Sequence, residues 1–458
     1  MTLSERETKA MLSAADNELI TRTGPGTPVG SLMRQYWIPA LLSSELPEPD
    51  CDPVRVLLMS EKLIAFRDTN GKVGLIANAC PHRGASFFFG RNEGCGLRCV
   101  YHGWKFDVQG NCVDMPNEPA ESNFKHKVKA TAYPCRERNG IVWAYLGPRQ
   151  TPPALPDLEP NMLPEGEYRV FAVQRECNWL QALEGDIDTC HTSFLHWGTV
   201  SLNEVAPDSF LYYNLKDPAP RYAVADTEVG ATYGAARQAG PDRTYWRIAH
   251  FLFPFWTMTP TSVLGLQVIA RAWVPMDDEH IMFFHTSRMA MALPTPMDGQ
   301  GPSWRPGVGV FGGNTPMTLL PNTADWYGRF RMAANSGNDY EIDRDKQRRG
   351  ESYTGITGIH LQDQAVTESM GPIYNRTQEH LGTSDSMVIR VRRRVIAAAR
   401  ELAEHGTTPP GVDNPESYRL RSGGVFLPAG ADWVEATKEL RTAFLSHPEL
   451  DAAISGGA

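Results

Sequence analysis

No run of this 458-residue chain is apolar for long enough to cross a membrane. Basic charge is not in excess either. Lys and Arg number 44 against 53 Asp and Glu, and the formal net charge of −9 argues against a general nucleic-acid binder. The first residues, MTLSERETKAML, lack the basic-then-apolar layout of a secretory signal, so a cytoplasmic location is expected. Cysteines are few, at 51, 80, 95, 99, 112, 135, 177 and 190, and in a long intracellular chain they are not expected to form a disulfide framework. Most should be buried thiols. What remains is ordinary globular composition, 41% apolar and 21% charged, with 35 Pro and 40 Gly to supply loops. The length allows two or three domains.

After a short helical lead-in, residues 1–30, the text from Val54 to about Leu146 is strand-like. VRVLLMSEKLIAFRDTNGKVGLI reads as strands with a turn at Asn70-Gly71. PRQTPPALPDLEP, 148–160, holds five prolines and marks the clearest boundary. The expected domains are therefore 31–148 and 149–458. Beyond the boundary come a candidate helix from about Trp179 to Leu195, aromatic-rich strands, and a Gly/Pro-rich stretch at 293–323 expected to be a long surface loop. Helices follow near 360–370 and 385–405. The second buries a stripe of Met387, Val388, Val391, Val395, Ile396 and Leu402 and ends at Gly406. Its Arg392-Arg393-Arg394 run is expected to be a solvated face.

Two short loops carry the first chemistry. Cys80 and His82 are separated by one residue, Cys99 and His102 by two, with 16 residues between His82 and Cys99. Four such ligands suit Zn²⁺ or an iron–sulfur cluster. One thiolate and one imidazole per loop match a 2Fe–2S cluster in which both cysteines bind one iron and both histidines the other. CPHRG and CVYHGW resemble the two loops of Rieske domains. Cys95 lies outside that pattern.

The segment NWLQALEGDIDTCHTSFLHWG, 178–198, carries the second. Asp188 and His191, three apart, would be neighbours on a helix face. His191 and His196, five apart, reach one ion only if the helix ends or bulges between them. Two histidines and a carboxylate form the facial triad of non-haem Fe(II) oxygenases. Placed after a Rieske pattern, Asp-x2-His-x4-His resembles the iron-binding segment of Rieske non-haem iron ring-hydroxylating oxygenases. LQDQAVTESMGPIYNRTQEHLGTSD, 361–385, resembles the matching segment of their phthalate dioxygenase-like branch.

That resemblance implies Asp363 as the third iron ligand, with Glu368 the nearest competitor. It implies an α+β fold, a small antiparallel Rieske domain plus a catalytic domain whose antiparallel sheet wraps on helices. It also implies a homotrimer or homohexamer, with Asp188 bridging His102 of one subunit and His191 of the next. No Gly-x-Gly-x-x-Gly fingerprint follows a strand, so electrons would come from a separate NAD(P)H-dependent reductase of the flavin and iron–sulfur type. The expected activity is that of a terminal oxygenase that cis-dihydroxylates an aromatic acid of the phthalate or benzoate type. Alternatives are O-demethylation of a methoxy-aromatic acid, or a Rieske electron-transfer or zinc-binding module with no oxygenase activity. An aromatic acid needs a cationic anchor. Alternation in RTYWRIAHFLFPFW puts Tyr245, Arg247, Phe251 and Phe253 on one face. Arg247 is then either the anchor or a residue at an exposed strand edge. Arg221 and Arg237 are further candidates, and His250, on the other face, is expected to be structural.

Overall fold

The computed structural model describes residues 12–122, 124–207, 209–289, 317–448 and 450. The expected loop at 293–323 lies outside the described residues up to position 316. The lead-in forms two short helices, α1 (Ala14–Thr21) and α2 (Pro28–Met33). Ser13 and Thr27 cap them by accepting from the Asp16 and Gly30 amides. The lead-in docks on the later part of the chain, where the Trp179 indole donates to the Ile20 carbonyl (3.1 Å) and the Asn178 amide to the Thr21 carbonyl (2.9 Å).

Strand β1 (Trp37–Leu42) opens the β-rich region, followed by the antiparallel meander β2 (Val54–Leu58), β3 (Glu61–Arg67) and β4 (Val73–Ala77). The β3–β4 turn lies at Asn70-Gly71, with Gly71 at φ 78°. The β2–β3 turn is Met59-Ser60, both at positive φ, which no residue type there announces. Its amides donate outward to the carbonyls of Pro275 and Met276 (3.0 and 2.7 Å), so the turn is held by the second half of the chain. Strand β5 (Ile141–Tyr145) pairs with β1 and closes this half. Four strands of two or three residues, the first at Arg91–Asn92 and the last at Cys112–Asp114, form a second small sheet that carries the Cys/His loops.

The second half is built on an antiparallel sheet of β6 (Tyr168–Arg175), β7 (Arg221–Thr227), β8 (Gly230–Gln238), β9 (Arg243–Leu252), β10 (Trp256–Met258), β11 (Ile269–Pro275), β12 (Ile281–Arg288) and β13 (Gly423–Pro428). The order is β6-β12-β11-β10-β9-β8-β7, with β13 also on β9. Four helices matter for the site: α3 (Trp179–Ile187), α4 (Phe210–Lys216), α5 (Ile359–Ser369) and α6 (Ser386–His405). Trp179, Leu180, Leu183 and Ile187 make one apolar stripe of α3 and are fully buried in the main core. Each such side chain contributes roughly 1.5–3 kcal/mol.

Helix α6 buries the expected stripe except Leu402, which is half-buried, and ends at Gly406, whose φ of 68° lets its amide reach the Glu401 and Leu402 carbonyls. The basic run on it is not a solvated face. Arg392 is 3% exposed and ion-paired to Glu184 of α3 and to Glu379. Arg394 donates to the carbonyls of Thr227 and Gly230, and only Arg393 is exposed. A three-residue run on a helix spans most of its circumference, so it cannot share one environment.

Candidate metal centres

The two Cys/His loops have the same backbone. In each, the cysteine amide donates to the carbonyl five residues on, Cys80 to Ala85 and Cys99 to Trp104, both at 2.8 Å. A glycine four residues after each cysteine, Gly84 and Gly103, takes φ near 77–78° and donates back to the cysteine carbonyl (2.8 and 2.9 Å). Glycine is required because a Cβ would be strained there. Cys80 and Cys99 are each 2% exposed, while His82 and His102 lie at the rim with ring centroids 4.4 Å apart. Trp104 stacks on His82 at 4.3 Å and fixes its plane.

Burial pushes the Cys80 thiol up to about 12, and the neighbouring Cys99 adds to the rise. Two thiolates would coexist there only against a metal charge. Among the described residues, just one group of three His, Cys, Asp or Glu side chains brings its ligand atoms within 4.8 Å of one another, and it is not drawn from these loops. A tetrahedral zinc ion would hold all four within about 4 Å of each other, given bonds of about 2.0–2.3 Å. One thiolate and one imidazole from each loop, the two cysteines buried together and the two histidines together at the rim, suit a two-iron cluster instead.

The group that does converge is His191, His196 and Asp363. Helix α3 ends at Ile187 rather than running to 195, because Asp188 is extended (φ −88°, ψ 121°). Asp188 and His191 therefore do not share a continuous helix face. Instead the Asp188 carboxylate turns onto the Cys190 amide (2.7 Å) and lies 3.5 Å from His191 Nδ1. Residues Thr192–His196 then wind as a π-helical turn, which stacks residues five apart. That turn brings the Nε2 atoms of His191 and His196 to 3.1 Å. Asp363, on α5, places Oδ1 at 3.5 Å from the first and 3.3 Å from the second.

Three ligands bonded at about 2.1 Å lie about 3.0 Å apart when facial, whereas a meridional set has one pair about 4.2 Å apart. The distances 3.1, 3.3 and 3.5 Å are those of one face. The opposite side is left for other ligands. The residues present fit a single divalent ion.

Both imidazoles are held in the tautomer that frees Nε2. Gln362 accepts from His196 Nδ1 (2.7 Å), and its own amide nitrogen donates to the Ile356 carbonyl (2.9 Å), which fixes the amide's orientation. Gln362 escaped the sequence reading although it sits beside Asp363; the signal was the Gln-Asp pair itself. On the other imidazole, Nδ1 faces the Asp188 carboxylate. Burial opposes ionisation of Asp188, but the His191 side chain and the amides of Cys190 and His191 hold it below the usual carboxylate range. Burial likewise opposes ionisation of Asp363, and the His196 and His191 rings outweigh it. Glu368 is committed elsewhere, accepting from the Tyr340 hydroxyl (2.5 Å), the Gln364 amide (2.8 Å) and the Glu176 amide (2.8 Å).

Of the arginine candidates, Arg221 is exposed and, by register with Ala236, lies on the sheet face away from the triad. Arg247 is not at an exposed edge: it is 4% exposed, with its guanidinium 3.4 Å from Thr192 Oγ1 beside His191 and 2.9 Å from the Pro260 carbonyl. His250 is fully buried and donates to the Arg421 carbonyl (3.0 Å), a structural role.

Residues 36–133 match the Rieske [2Fe-2S] domain family, and residues 144–452 match the family described as LigXa C-terminal domain like. The 3-chlorobenzoate-3,4-dioxygenase oxygenase subunit of Comamonas testosteroni is 48% identical over 94% of this chain and 98% of its own. The phthalate 4,5-dioxygenase oxygenase subunit of Pseudomonas putida is 39% identical over 85% and 86% respectively. The fold is similar to the crystal structure of dicamba monooxygenase bound to dicamba, with a TM-score of 0.53 and 16% identity over 81% of this chain and 99% of that one. No described helix is long and apolar enough to cross a membrane. The chain belongs to the Rieske non-haem iron oxygenases as an oxygenase subunit, an oxidoreductase that carries a Rieske [2Fe-2S] cluster and a mononuclear iron.

Proposed function

We propose that this oxygenase subunit dihydroxylates the ring of an aromatic acid of the benzoate or phthalate type. The observation that carries this reading is the facial His191–His196–Asp363 set lying against a sheet face that holds buried arginine and tyrosine side chains. The two relatives above, each named for an aromatic acid, support it. Residues 31–148 form the cluster-bearing domain and 149–458 the catalytic domain. Cys80, Cys99, His82 and His102 hold the cluster; His191, His196 and Asp363 hold the iron.

When bound, the two centres supply one-electron transfer and O₂ activation. The chain's residues do the rest. Gln362 and Asp188 orient the two imidazoles and keep their Nδ1 protons away from the metal. The buried face of β8 and β9 excludes water around the ring, and its guanidinium groups hold the acid. Asp188 remains ionised, so it accepts from His191 on one side and from His102 of a neighbouring subunit on the other, which links the centres across a trimer or hexamer. Electrons arrive from a separate reductase, in the cytoplasm.

The test is substrate-dependent O₂ uptake with a surrogate reductase, screened over benzoate, 3-chlorobenzoate, phthalate and methoxybenzoates. Uptake with an unsubstituted aromatic acid and a cis-diol product is expected. Uptake with methoxybenzoates alone, releasing formaldehyde, would make the reaction an O-demethylation; none with any acid would overturn the substrate class.

A further inference from the structure

Arg237, on β8, is 1% exposed and lacks an acidic partner among the described residues. Its Nε donates to the Asp217 carbonyl (2.8 Å), but Nη1 and Nη2, the two ends of the fork, have no hydrogen-bond partner. The same corner contains other unsatisfied groups. Tyr245 pairs with Arg237 in the β8–β9 register, while its buried, unpartnered hydroxyl lies against Gly424 of β13. Tyr233, on the same face of β8, has a buried hydroxyl in the same condition. Asn214 of α4 is fully buried, with neither its amide nitrogen nor its amide oxygen bonded.

This corner adjoins the metal-binding segment. The Tyr222 hydroxyl contacts Cys190 Sγ (3.5 Å), Ser193 Oγ donates to the Asn214 carbonyl (3.0 Å), and Arg247, on the same sheet face, reaches Thr192. Burial and the charge of Arg247 lower the Arg237 guanidinium to about 10, so it still carries its charge at neutral pH.

A buried cation with two open N–H edges is costly, and native interiors keep such groups when an acceptor completes them. The fork calls for a planar acceptor with two oxygens, and a carboxylate offers two oxygens with about four lone-pair sites between them. Asn214, three residues before the Asp217 carbonyl that Arg237 Nε reaches, can donate a further bond. Among the described residues no carboxylate is hydrogen-bonded to the fork.

We propose that Arg237, with Asn214 and Arg247 beside it, binds the carboxylate of the substrate and so selects an aromatic acid over its neutral analogue. This rests on the aromatic-acid reading above and gives the anchor to Arg237, one of the further candidates of the sequence, on the same sheet face as the first candidate Arg247, while Arg221 lies on the other face.

The experiment is calorimetric titration of the anaerobic holoenzyme, which reads binding without turnover. The probes are 3-chlorobenzoate and its neutral isostere 3-chlorobenzamide, with benzoate and benzamide as a second pair. The wild type should bind each acid at least about tenfold more tightly than its amide. Arg237→Met should weaken the acids by about ten- to a hundredfold, leave the amides within about twofold, and keep the cluster spectrum and iron content. Arg237→Lys should restore part of the acid affinity. The proposal is overturned if Arg237→Met binds the acids as the wild type does, or if the wild type binds acid and amide alike; the second result needs no variant to fold. Failure of the wild type to bind or consume O₂ with any aromatic acid would instead overturn the underlying substrate reading.

Discussion

Gln362 acts on the proposed iron site through one hydrogen bond and its own anchoring. With its amide nitrogen committed to the Ile356 carbonyl, only the oxygen is left for His196 Nδ1. Gln362→Leu should weaken iron binding by about 10- to 100-fold in chelator competition while the cluster's visible spectrum is unchanged. Unaltered iron affinity would reduce Gln362 to a packing residue. His250 shows the opposite use of a buried imidazole. Burial lowers it to about 4 from 6.5, so the folded state keeps it neutral where the unfolded chain would take up a proton. The sign follows: its contribution is complete above pH 6.5 and is lost as pH falls from there towards 4, a total of about 3 kcal/mol at ~1.4 kcal/mol per pH unit. His250→Gln, which retains a donor for the Arg421 carbonyl but does not titrate, should flatten the denaturation midpoint between pH 6.5 and 4.5. An unchanged pH slope would mean that other groups account for acid lability.

At the scale of elements, the site depends on where α3 stops. The extended Asp188 and the π-helical turn after it convert a five-residue spacing into a shared face, and α5 then delivers Asp363 from nearly 170 residues away. Helix α3 is held from behind by Glu184, which Arg376 and Arg392 both engage while themselves fully or nearly fully buried. Removing one partner of a buried ionic network leaves the others uncompensated, at a cost of about 3–5 kcal/mol. Arg392→Met should accordingly lower the thermal midpoint by several degrees, whereas the exposed neighbour change Arg393→Met should stay within about 0.5 kcal/mol of wild type. Equal, small effects of the two substitutions would show that the Glu184 network does not hold the helix.

At the scale of the whole molecule, the proposed electron path leaves one chain and enters another. The Asp188 side chain is 29% exposed in the single chain, and His102 stands at the cluster's rim next to Tyr101, 54% exposed. Both ends of the relay are therefore accessible to a neighbouring subunit. If the path crosses subunits, an oligomer mixed from a Cys80→Ser chain and an Asp363→Ala chain should recover turnover that neither chain has alone. No recovery in mixed oligomers verified to contain both chains would place the path within one subunit. Asp188→Asn should keep both metals yet leave a reduced cluster that fails to reoxidise with substrate and O₂; normal reoxidation in rapid mixing would remove Asp188 from the path.

The sequence by itself determined what depends on neighbours along the chain. The Cys-x-His and Cys-x2-His loops were legible because glycine-dependent turns and ligand spacing are local, and so were the α6 stripe, the Gly406 stop and the turn at Asn70-Gly71. It also showed that His191 and His196 need a break in the helix. It did not show where α3 ends: the Asp188 carboxylate closes the turn locally on the Cys190 amide, but the Thr189 amide is taken up by the Tyr222 hydroxyl of β7 (3.3 Å), a partner from a distant segment. Nor did it show that Met59-Ser60 forms a turn, since that turn is completed by Pro275 and Met276. Composition made Arg392 look solvated and Arg247 look peripheral. Only the tertiary structure decided that the first meets Glu184 and Glu379 and that the second lies beside Thr192, because the partners of a buried charge are set by packing between distant segments.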